Sequence, residues 1–135
     1  MITIPDQGVV RTPRSKHWVD DGILFSICDE MSYLDFAEAK AITAAFIQLS
    51  TKPLPLFVDL NTASGQSSEA RKYFASDPDH VATYSAVALF VSNPVAKVIA
   101  NVYMGLVKPK KPTRLFTDIE EALAWLEQFK ETRSS

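Results

Sequence analysis

The sequence predicts an α/β domain built on a mostly parallel, mixed sheet of about five strands with about four helices. Three observations lead there. Short β-rich runs alternate with helical stripes along most of the chain. Two of those runs, residues 54–60 and 85–91, are apolar almost throughout rather than alternating, as in parallel strands buried on both faces. And Asp20-Asp21-Gly22 separates two β-rich runs, a hairpin signal that adds an antiparallel contribution.

Composition bounds the rest. A chain of 135 residues, 47% hydrophobic and 22% charged, buries a core without staples. It reads as a single domain over residues 1–135, with its core at about 14–130, a flexible N-terminal arm and a polar C-terminal tail. The net charge of −2 gives no global attraction to nucleic acid. One cysteine, Cys28, allows no internal disulfide and fits a reducing compartment. Residues 1–16 lack the apolar core of a signal peptide, and no run reaches the ~20 apolar residues of a membrane span. The cytoplasm is the expected compartment.

In chain order, residues 1–13 form an arm or irregular edge. Lys16–Val19 and Ile23–Cys28 make the hairpin, and the second run is apolar on both faces. Asp35 opens the first helix as an Asp-x-x-Glu capping box with Glu38. Phe36, Ala39, Ile42, Ala45, Phe46 and Leu49 form its inward stripe. Pro53 ends it. Strand Leu54–Leu60 leads into the loop Asn61–Gln66. Ser67 or Ser68 caps a short helix with Ala70, Tyr73 and Phe74 inward. His80 falls on a loop before strand Ser85–Val91. Ser92-Asn93-Pro94 starts a helix with the stripe Val95, Val98, Ile99, Val102 and Leu106. Thr113–Phe116 is a last strand, and Asp118 with Glu121 opens a last helix presenting Ile119, Ala122, Leu123, Leu126 and Phe129.

Two stretches carry a resemblance. One is Phe57-Val58-Asp59-Leu60 feeding a Ser/Gly loop and a short helix. The other is Pro112–Asp118 leading to Glu121-Ala122-Leu123-Ala124-Trp125-Leu126. Together with the element order over roughly residues 14–130, they resemble the SpoIIAA-like (STAS-like) group, the fold of anti-sigma-factor antagonists. The resemblance implies a regulatory protein-interaction role or ligand binding. It also implies a phospho-accepting serine in an Asp-Ser-Ser/Thr-Gly motif at this helix start. Here the segment reads Asp59-Leu60-Asn61-Thr62-Ala63-Ser64-Gly65-Gln66-Ser67-Ser68, with Ser64-Gly65 its nearest match.

The residues themselves point to the same end of the sheet, where open α/β folds collect ligands. Asp59, Asn61, Ser64, Ser67, Ser68, Arg71, Ser92 and Asn93 are the candidate ligand- or partner-binding residues. Helix-start amides and hydroxyls there favour an anion or a phosphate, and Arg71 suits a carboxylate or phosphate. A capped helix after a flexible turn explains the same residues without any ligand. Asn101, Tyr103 and Met104 lie off or beside the stripe of helix Val95–Val107, a surface for a homodimer or partner.

No metal or cofactor is expected. His17, His80 and Cys28 lack metal-ligand spacing, and there is neither a Gly-x-Ser-x-Gly elbow nor a glycine-rich phosphate loop. Lys108, Lys110, Lys111 and Arg114 form a basic cluster without aromatic interleaving. Non-enzymatic binding or regulation is the expected function, through a protein partner or a small anionic or apolar ligand. The alternatives are a small enzyme with Asp59 or His80 as base and Arg71 as anion clamp, and a structural homodimer through Val95–Val107.

Overall fold

The computed structural model describes residues 2–61, 63–92 and 110–130. Its strands are β1 (Val10–Thr12), β2 (Ser15–Asp20), β3 (Ile23–Cys28), β4 (Ser32–Leu34), β5 (Leu54–Asp59), β6 (Ala63–Gln66), β7 (Tyr84–Phe90) and β8 (Thr113–Phe116). Its helices are α1 (Phe36–Leu49), α2 (Ser68–Ser76), α3 (Pro78–Val81) and α4 (Ile119–Glu127). Six strands form one sheet in the order β1-β2-β3-β5-β7-β8, while β4 and β6 pair separately. The expected mixed, mostly parallel sheet is present: β1, β2 and β3 run antiparallel in succession, and β3, β5, β7 and β8 pair in parallel.

The β2–β3 hairpin follows from its turn. Asp21 and Gly22 both have positive φ, 51° and 75°, the geometry whose twist matches the flanking strands. β5 is an inner strand, flanked by β3 and β7, and its Phe57 is fully buried. The strands beyond the expected set are β1, β4 and β6, of three, three and four residues. Such runs are too short for a period of two to register in sequence.

Alternation along the strands sends side chains into two cores. On one face Trp18, Phe25, Phe57, Ala88, Phe90 and Phe116 pack with Ala122 and Leu126 of α4. On the other, Leu24, Leu56 and Val87 meet Ile42 and Phe46 of α1, with Val81 of α3 and Phe74 of α2. At roughly 1.5–3 kcal/mol per large apolar side chain, these two layers are the main stabilising contribution.

The caps explain where the helices begin. Asp35 accepts from Glu38 N at 2.8 Å, Ser67 from Ala70 N at 3.0 Å and Asp118 from Glu120 N at 2.8 Å. Two expectations are corrected. The Glu38 carboxylate does not close a capping box: it bonds Thr12, Arg14 and Ser15 of the β1–β2 hairpin. The cause is burial: the carboxylate, 3% exposed, takes the donors that the hairpin presents to it. Phe36, placed inward by its spacing, is 40% exposed, because its ring packs edge-on against Tyr73 of α2 instead of entering the core. The helix expected over residues 95–107, and with it Asn93, Asn101, Tyr103 and Met104, falls outside the described residues.

Candidate functional site

The carboxyl ends of β5 and β7 bring Asp59, Asn61 and Ser92 together, while Ser64 and Ser67 bond to β4 instead. Asp59 ends β5, and its Oδ1 accepts from Asn61 N at 2.9 Å. Asn61 Oδ1 in turn accepts from Ser92 N at 2.8 Å and from Ser92 Oγ at 3.2 Å. Leu60 N donates to Phe90 O. The β5 and β7 ends are thus tied by one amide side chain, and this polar capacity is used within the protein.

Ser64 and Ser67 are also engaged. Ser64 Oγ donates to Ser32 O at 3.1 Å, fastening β6 to β4. Ser67 is the cap of α2, and its own N–H donates to Leu34 O. Ser68 is the first residue of α2 and is exposed. Arg71 lies exposed one turn further on.

Three large apolar side chains are exposed on the segment from just before β4 to the start of α1. Met31 is 81% exposed, Tyr33 48% and Phe36 40%. Met31 has a positive φ of 57°, a conformation uncommon for a residue with a side chain. The Tyr33 ring lies over Gly65, where an added Cβ would stand 3.6 Å from it. Phe36 meets the Tyr73 ring edge-on, and Lys40 Nζ sits 5.5 Å from its centre. Sequence reasoning missed this patch, because Met31 and Tyr33 fall in a short connection and Phe36 was assigned to the helix's inward stripe.

The histidines are elsewhere and inside. His80 is not on a loop: Asp77 caps the turn Pro78–Val81, accepting from Asp79 N and His80 N. His80 is buried among Phe46, Tyr73, Phe74 and Tyr84 and bonds Thr43 Oγ1 through Nδ1 at 2.9 Å. It precedes β7, next to Tyr84, which pairs with Leu54, whereas Asp59 pairs with Phe90 at the far end of that register. The two are separated by the length of the strands, so the suggested acid–base pair does not converge.

Burial also fixes the protonation of these groups. His17 and His80 are each lowered to about 4, His80 against a smaller opposing pull from Asp77. The Cys28 thiol is pushed up to about 12, by burial first and then by Asp59 and Glu38. That is the opposite of what a reactive thiol needs. Tyr84 is raised to about 12 by burial.

Among the described residues no group of three His, Cys, Asp or Glu side chains could hold a metal ion. Two members of the basic cluster are engaged, and Lys108 lies outside the described residues. Lys111 Nζ donates to Tyr84 O at 2.7 Å, and Arg114 lies 5.3 Å over the Phe116 ring. Trp125 packs on Phe116 and Phe129. No described helix is long and apolar enough to cross a membrane.

Solved structures identify the architecture as the SpoIIAA-like fold. An uncharacterised protein of the DUF3478 family from Shewanella loihica, described as having that fold, aligns with a TM-score of 0.53 at 16% identity, over 88% of this chain and 90% of its own. The anti-sigma factor antagonist SpoIIAA in its unphosphorylated form aligns at 0.51 and 13% identity, over 84% and 97%. An anti-sigma factor antagonist from Mycobacterium paratuberculosis aligns at 0.51 and 15%, over 93% and 99%. The chain belongs to the DUF7793 family: residues 17–130 match this domain of unknown function. No curated protein matches it.

Proposed function

We propose that this protein is a non-enzymatic regulatory module, acting as one domain in the cytoplasm, that binds a protein partner through the carboxyl-end face of its sheet. The observation that carries the reading is the apolar trio Met31, Tyr33 and Phe36, exposed beside the Ser64–Arg71 segment. Exposed aromatic and methionine side chains clustered on one face favour partner contact. Asp59, Asn61, Ser64 and Ser67 support the shape of that face through internal hydrogen bonds rather than pointing at a substrate. The fold shared with anti-sigma factor antagonists supports a regulatory role.

Ser68 is the hydroxyl best placed for modification. It is exposed at the start of α2 while Ser67 serves as the cap, and a phosphate there would gain helix-start amides. The test is affinity capture from the source organism with the wild type and the variants Tyr33→Ala, Met31→Ala and Ser68→Glu, followed by binding measurements on the recovered protein. Loss of the partner with Tyr33→Ala, with the fold retained, is the expected result. A partner held equally by all four proteins would move the working surface elsewhere.

A further inference from the structure

Among the described strands the sheet ends at β8. Its ladder with β7 is parallel, and Val87 N and Val91 N donate to Pro112 O and Phe116 O. In such a ladder the bonded backbone groups of a strand belong to alternate residues, so the N–H and C=O of Thr113 and Leu115 point away from β7. An edge of this kind is a template for a further strand. Side chains alternate across β8 as well. Phe116 enters the core beneath α4, and Arg114, two residues before it, lies over the Phe116 ring on that same face.

Between β8 and α4 the surface forms a cleft of about 370 Å³. Phe116 and the half-buried Trp125 line it with apolar surface, and Arg114 and Glu121 bring one cation and one anion to it. Both charged residues are exposed, and neither takes part in an ion pair among the described residues. A strand edge with unpaired donors and acceptors, beside a cleft carrying both signs of charge, is complementary to itself. Self-complementarity is what an interface across a two-fold axis requires.

We infer that this edge takes a second copy of the same chain, with β8 pairing antiparallel to β8 and continuing the sheet across a two-fold axis. The surface uses none of Met31, Tyr33 and Phe36 and does not rest on the regulatory reading. With Leu115 on the axis, the two Leu115 residues exchange both backbone hydrogen bonds. An axis normal to the sheet keeps the two α4 helices on one face. Arg114 then stands opposite Phe116 of the second copy, at the mouth of the cleft that also holds that copy's Glu121. The interface closes with two Arg114–Glu121 pairs, one on either side of the axis.

Sedimentation equilibrium of the full chain over a wide concentration range should show monomer and dimer in exchange. A monomer at every concentration overturns the dimer and leaves the edge to a strand of another protein. Arg114→Glu and Glu121→Arg should each weaken self-association about tenfold or more, since like charges then face each other twice. Mixed in equal amounts, the two variants should associate about as tightly as the wild type, because every charge pair across the mixed dimer is again opposite in sign. Dimers that neither change affects, or variants that stay monomeric when mixed, overturn this surface. Should a variant fail to fold, amide exchange in the wild type decides the matter. The Leu115 amide should become protected as concentration rises, and exchange there that is independent of concentration overturns the strand pairing.

Discussion

The two buried histidines make the protein labile to mild acid, and the size of the effect follows from their surroundings. His17 is fully buried and His80 is 4% exposed, and both fall from the ordinary 6.5 to about 4. In the unfolded chain each takes up a proton below pH 6.5, while the folded protein resists until about pH 4. The unfolded state therefore binds more protons in that window, and stability rises with pH across it. Above pH 6.5 the contribution is level, and below about 4 the folded state also protonates and the slope ends. The limiting cost is about 3 kcal/mol per histidine. At pH 5 it is about 2 kcal/mol each, or about 4 for the pair. That is a large part of the 5–15 kcal/mol typical of a domain. Urea unfolding followed by tryptophan fluorescence at pH 7 and pH 5 measures it directly, with Trp18 buried beside Phe25 as the reporter. Equal midpoints at the two pH values, or a folded-state imidazole titrating near 6.5 by NMR, would refute the reasoning.

Two further outcomes follow from the same geometry. Cys28, 5% exposed with its thiol pushed up to about 12, should react with a thiol reagent at pH 8 only as fast as the protein opens, and rapid labelling of the native protein would contradict its burial. Asn61→Ala removes the acceptor of Ser92 N; stability should fall by only about 0.5–1.5 kcal/mol while exchange of the Ser92 amide rises, and an unchanged Ser92 amide would show that Asn61 does not tie the strand ends.

What the sequence made legible was whatever depends on near neighbours. The Asp-Asp-Gly turn, the Asp35, Ser67 and Asp118 caps and the unbroken apolar run of β5 are local signals, and each sits where its chemistry puts it. The same holds at the candidate site for the Asp59–Asn61 turn and for the helix start after Ser67. The mistakes share one cause, which is that tertiary partners decide where a polar or apolar side chain goes. Glu38 has the spacing of a capping-box acid, yet its carboxylate turns to donors more than twenty residues earlier in the chain. His80 reads as a loop residue until Asp77 and Pro78 are recognised as a helix start and four aromatic rings close around it. Phe36 carries the period of a core residue, but its ring meets Tyr73 of α2 and stays 40% exposed.

These departures have a direction in common. Glu38 and Phe36 stand two residues apart in the same turn of α1, one buried beneath the hairpin and the other exposed beside Met31 and Tyr33. The turn is therefore fixed from below by a polar network and presents apolar side chains above. Rigid anchoring of an exposed apolar group lowers the ordering cost of binding it. If the face binds a partner, loosening Glu38 should weaken that binding through α1 without touching a contact residue. A Glu38→Gln protein that stays folded yet binds more weakly, with a Tyr33→Ala change adding less in that background than in the wild type, would show the coupling. Strictly additive losses in the double variant would show two independent features.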